Sequence, residues 1–131
     1  MTTPLWCVFV ASLLPYVLAG TGAYLRVQQL GKLDANHPRV QALQLGGIAA
    51  RALGAQANSW EAFAVFTAAV LTAHVAGADP AGASATLAIT FVVARVAYAA
   101  MYLADIPSAR TGVFLTGWGC CLGLFYQAAT A

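Results

Sequence analysis

Charged side chains are what this chain most lacks: of 131 residues, six are Lys or Arg and four are Asp or Glu, 8% in all. A typical soluble domain carries about 25%, so there are too few solvated groups here to cover a surface in water. That shortage excludes a water-soluble globular enzyme and a disordered tail. The net charge of +2 is also too thin an electrostatic footprint for DNA or RNA, and no nucleic-acid partner is expected.

Other absences narrow the field further. The three cysteines, Cys7, Cys120 and Cys121, lie in apolar stretches. Adjacent residues such as Cys120 and Cys121 are poorly placed for a disulfide, whose Cα atoms usually sit about 4.4–6.8 Å apart. Buried thiols acting as small hydrophobes are expected instead. The N-terminus lacks the basic region and small-residue cleavage site of a secretory signal, so its apolar segment reads as a retained helix. No strand pattern and no Gly-rich phosphate loop is present, and no serine has His and acid partners near it in sequence. His37 and His74 have no Cys or carboxylate at ligand spacing, and no metal site is expected.

What the chain does have is apolar residues, 61% of the total. A bilayer crossing takes about 20 of them. The expectation is an all-α integral membrane four-helix bundle, forming a single domain over residues 1–131. The spans are read as about 5–25, 46–76, 81–104 and 111–128. Pro15 falls inside the first, where a membrane helix tolerates a kink. A polar loop is expected from Arg26 to about Gln44, marked by Gly31 and Asn36-His37-Pro38. Gly77-Ala78-Asp79-Pro80 and Asp105-Ile106-Pro107-Ser108 mark the other two turns.

Orientation follows from the cations. Arg26, Lys32 and Arg39 fall in the first loop and Arg110 in the third, whereas the second loop and both tails have none. By the positive-inside rule the long first loop is cytoplasmic and both termini are outside. The expected location is a bacterial inner membrane or its equivalent.

Ionisable groups within the hydrocarbon cost about 2.5–3.5 kcal/mol each on insertion scales and so need a partner or a function. Asn58, Glu61 and Arg95 stand out, with Arg51 and Arg110 nearer the cytoplasmic ends. At about 100° per residue, Arg51 and Asn58 fall within about 20° of each other, and Glu61 lies one turn further on. Arg95, Tyr98 and Tyr102 share a stripe on the third span by their i, i+3, i+7 spacing. Span directions bring both sets to one depth. Two readings stay open for Glu61 and Arg95. They form a neutralising ion pair with Asn58 as hydrogen-bonding glue, or they belong to a site for an anion with several carboxylates, which guanidinium forks bind in bidentate fashion.

Two segments carry a family resemblance. Arg51-Ala52 through Asn58-Ser59-Trp60-Glu61-Ala62-Phe63 is similar to an R-x-x-x-N-x-x-E pattern, and Arg95 to Leu103, with Tyr98 and Tyr102, to R-x-x-[HY]-x-x-x-Y-L. Ordered on four spans, they resemble the membrane-associated proteins in eicosanoid and glutathione metabolism (MAPEG), of microsomal glutathione transferase type. The resemblance implies a homotrimer with glutathione in a cytoplasm-facing crevice between neighbours. It implies that Asn58 and Glu61 hold the peptide's polar groups, Glu61 taking the amino group. Arg95 and Tyr102 would contact its carboxylates, with Tyr98 beside them and Arg51 assisting. Arg110 corresponds to the arginine proposed to stabilise the thiolate, which would attack a lipophilic small-molecule substrate arriving from the bilayer. Ala57 stands where several active members carry an arginine. The function implied is a glutathione transferase or peroxidase. A non-enzymatic bundle binding a small anionic metabolite or a partner protein, and a purely structural subunit, stay open beside it.

The remaining features read as packing. Gly119-Cys120-Cys121-Leu122-Gly123 is a small-xxx-small pattern that lets helices approach closely. Trp6, Trp118 and Tyr126 are expected to face lipid or the interface, and Trp60 to point off the Asn58 stripe.

Overall fold

A computed structural model describes residues 1–131. The chain forms α1 (Thr3–Leu30), α2 (Pro38–Ala42), α3 (Gly47–Ala76), α4 (Gly82–Leu103) and α5 (Pro107–Ala129). All but α2 are long and apolar enough to cross a membrane. The four-span expectation holds, with α1 running past Arg26 to Leu30 and α5 starting at Pro107.

Local chemistry sets the helix ends. Proline occupies the first turn of α1 and of α5, where its missing N–H is no loss. At the end of α3, Gly77 adopts φ +83°. Its N–H donates to His74 O at 3.2 Å, and the Ala78 N–H donates to Ala73 O at 3.0 Å. This crossed pair satisfies carbonyls the helix leaves free, and glycine reaches the left-handed region without strain. Asp105 does the same after α4 at φ 61°, with its N–H on Tyr102 O and that of Ile106 on Met101 O.

The helices pack as α1 on α3 and α4 on α5, with α3 also touching α4 and α5. At the centre, Phe66 of α3 stacks on Phe91 of α4 with ring centroids 3.9 Å apart. Cys7, Val70, Cys120, Cys121 and Leu124 surround the pair, so the cysteines are free, buried thiols. Alanines at 49, 52, 55, 69, 73, 88, 94 and 99 are buried as well. Small side chains let helix backbones approach when hydrophobic driving force between helices is weak. Only 26 of 131 residues are buried, and Phe9, Val17, Val75, Val93, Leu115 and Leu122 face outward, as contact with acyl chains requires.

The expected loop from Arg26 to Gln44 needs correction. Arg26 lies within α1, which continues until Gly31 turns left-handed at φ 78°. Pro38 then opens the single turn of α2. The intervening segment is a tied structure: buried Gln41 donates through Nε2 to Lys32 O at 2.8 Å and accepts from the Asp34 N–H at 3.0 Å.

Candidate functional site

Arg95 is the most deeply placed cation, 4% exposed within α4. Alanines at 94 and 99 of the same helix are buried as well. Its Nη2 donates to Asn58 Oδ1 of α3 at 2.7 Å, and its Cζ lies 4.2 Å from the centre of the Tyr98 ring. Its Nε has no hydrogen-bond partner. A buried donor left unpaired is costly, and Arg95 spends only Nη2 on a side-chain acceptor.

Beside it lies a cavity of about 230 Å³, with Asn58, Glu61 and Arg95 among its lining. Its apolar walls include Val65, Phe91, Phe114, Trp118 and Cys121. Glu61 is exposed and in no ion pair: the chain's two are His37–Asp34 and Arg51–Asp105. The ion-pair reading of Glu61 with Arg95 is therefore overturned, since Arg95 takes Asn58 as its partner and leaves the carboxylate free.

The other expected residues fall into a relay beyond the cavity. Tyr98 and Tyr102 meet edge to face at 5.7 Å, and the Arg110 Cζ sits 4.3 Å from the centre of the Tyr102 ring. Such cation–π contacts hold a guanidinium over a ring face. Asn58, Arg95, Tyr98, Tyr102 and Arg110 thus form one continuous run of contacts across α3, α4 and α5.

Arg51 stands apart. Its Nε donates to Leu103 O at 3.1 Å and its Nη1 lies 3.5 Å from Asp105 Oδ2, so it ties α3 to the end of α4. It is also seven residues before Asn58, whereas the R-x-x-x-N pattern asks for four. Gly54 occupies that place. A Cβ on Gly54 would collide with the Tyr102 hydroxyl, so in this chain tyrosine fills the volume a side chain at 54 would need.

Trp118 and Cys121 line the cavity, although the sequence alone led us to expect Trp118 to face lipid or the interface. Trp118 does both, being 46% exposed while contributing a wall. The signal was the i, i+4, i+7 spacing of Phe114, Trp118 and Cys121, which places the three on one face of α5. Trp60 lies off the site, edge to face with Tyr16 at 5.2 Å. No three His, Cys, Asp or Glu side chains converge.

A buried guanidinium with a spare donor, a free carboxylate and an amide at the rim of an apolar cavity form an amphipathic site within a helical bundle. The model of the MAPEG family matches residues 3–130, nearly the whole chain. The chain belongs to the MAPEG family. With four spans of sufficient length, this MAPEG protein is a multi-pass integral membrane protein. No curated protein and no solved structure gives a significant match to it.

Proposed function

We propose that this MAPEG protein binds glutathione and uses it as the nucleophile in a transferase or peroxidase reaction on lipophilic electrophiles. The observation that carries this reading is Arg95: a guanidinium 4% exposed that lines a cavity and spends only Nη2 on a protein acceptor. A carboxylate ligand suits the remaining donors of such a guanidinium fork. Glu61, exposed and outside any ion pair, suits an ammonium group, and Asn58 suits a peptide amide. These are the polar groups glutathione presents, so the donor set fits it.

Glutathione brings a thiol with a free pKa of about 8.5, whose thiolate is the reactive form. Nearby guanidinium charge favours that form. Arg110, at the end of the aromatic relay, is the residue assigned to this task, with Tyr98 and Tyr102 fixing its approach. Arg51 assists by pinning the end of α4. The apolar walls receive the electrophile, and holding both reactants together supplies proximity. The reading includes a homotrimer, one membrane unit over residues 1–131, a cytoplasmic first loop and outward termini in a bacterial inner membrane or its equivalent.

A second reading, binding of an anionic metabolite without turnover, draws on Arg110 covering Tyr102 rather than lining the cavity. Ultraviolet difference spectra separate the two. Addition of glutathione to the purified protein near neutral pH is expected to raise a thiolate absorbance band, and Arg110→Leu to remove it while binding persists. Saturable binding without such a band supports the second reading.

A further inference from the structure

The segment between α1 and α3 carries a feature the site does not use. It is tied down at several points. The Gly46 N–H donates to Gln29 Oε1 at 3.2 Å, joining the two helix ends. Arg26 Nη1 donates to Pro38 O at 3.4 Å, and Gln41, 6% exposed, clamps Lys32 and Asp34 from inside. The segment is therefore folded back against the ends of α1 and α3, the two spans it joins.

Its acid is spent internally. Asp34 Oδ1 accepts from the Asn36 and His37 N–H groups, both at 2.9 Å, and its Oδ2 lies 3.8 Å from His37 Nδ1. Lys32 and Arg39 are exposed and belong to no ion pair. Beside them stand bulky aliphatic side chains turned outward: Leu33 at 52% exposure, Val40 at 58% and Leu43 at 86%. Arg39 and Leu43, the residue that caps α2, are spaced i, i+4 and share one side, with exposed Val40 next to them and Gln41 buried. Unpaired cations interleaved with aliphatic side chains at interface depth match the two layers of an anionic lipid surface, phosphate outside and acyl carbon beneath.

We propose that residues 32–43 form an interfacial foot that binds anionic phospholipid headgroups, with Lys32 and Arg39 on the phosphates and Leu33, Val40 and Leu43 in the acyl boundary. The occupant is a lipid of the surrounding leaflet rather than a soluble anion or a protein. Two cations without acids favour a negatively charged surface, and the aliphatic side chains between them favour one with hydrocarbon below it.

The test uses the full chain, purified in detergent and titrated with phosphatidylglycerol or phosphatidylcholine of identical acyl chains, with bound lipid counted by native mass spectrometry. Phosphatidylglycerol is expected to bind more tightly by about fivefold per cation. The Lys32→Gln/Arg39→Gln variant is expected to lose that preference, the Lys32→Arg/Arg39→Lys variant to keep it, and Leu43→Ser to weaken both lipids. Equal retention of the two lipids overturns the proposal, as does a preference that survives in Lys32→Gln/Arg39→Gln. It is also overturned if inorganic phosphate competes phosphatidylglycerol off at matched concentration, or if Leu43→Ser dissociates an oligomer and leaves lipid binding unchanged.

Discussion

Asn58 of α3 accepts a 2.7 Å hydrogen bond from the guanidinium of Arg95 of α4, and this one contact fixes the polar wall of an otherwise apolar cavity. The bond satisfies one nitrogen of a buried cation and leaves Nε free. Stability and the proposed ligand recognition therefore share a residue. Removing either partner has a different consequence for each.

Asn58→Ala leaves the Arg95 guanidinium without its side-chain acceptor, and a lost hydrogen bond to a charged group costs about 1.5–3 kcal/mol. The Asn58→Ala/Arg95→Leu double variant is expected to be less destabilised than the sum of the singles, because the stranded charge is gone as well. Thermal unfolding of the four proteins in detergent measures the cycle. Strict additivity would mean that the two side chains act independently.

Gly54 and Tyr102 make a second linked pair. A methyl at position 54 meets the Tyr102 hydroxyl, with Cζ at 2.9 Å, so Gly54→Ala is expected to cost about 1–3 kcal/mol through overpacking. Tyr102→Phe removes the nearest atom and is expected to recover part of that loss in the double variant. Unchanged melting of Gly54→Ala would show that the two helices have room to move apart.

The long helices were legible because their apolar runs are uninterrupted over bilayer length, and Arg95 and Asn58 because polar groups in such runs are expensive. The bend of the chain at α2 was not: one turn opened by a proline has no periodicity, and its hold on Lys32 and Asp34 depends on a single buried glutamine. Arg51 shows the limit of a helical wheel. Angle placed it on the Asn58 stripe, yet its reach leads to Leu103 O and Asp105, residues that only the turn after α4 brings near. Trp118 was obscured for the opposite reason, since an outward indole reads as lipid-facing whether or not a groove runs beneath it.

Cavity volume is expected to tune substrate size. A Cβ on Gly117 would meet Phe91 and Arg95 at 3.7–3.8 Å, ordinary contact distances, so Gly117→Ala is expected to fold normally. It narrows the cavity, and kcat/KM is expected to fall severalfold for bulky electrophiles and little for small ones, since one methylene in an apolar pocket is worth roughly 10–200-fold at most. Equal kinetics for both sizes would place the electrophile elsewhere.

The cysteines are expected to be spectators. Cys7, Cys120 and Cys121 are 8%, 4% and 2% exposed, and buried thiols in apolar surroundings are inert. Maleimide labelling of the folded protein is expected to be slow at all three and complete after denaturation in dodecyl sulfate. Cys120→Ser is expected to leave glutathione-dependent turnover intact. Loss of turnover in that variant would assign the reacting thiol to the protein.

Titration calorimetry of the purified protein with glutathione, beside Arg95→Leu, bears most directly on why a guanidinium is kept within the bundle. Saturable binding by the native chain, absent from an Arg95→Leu variant that retains its helicity, is the expected result. Heats indistinguishable from dilution at millimolar glutathione, or equal binding by both proteins, would contradict it.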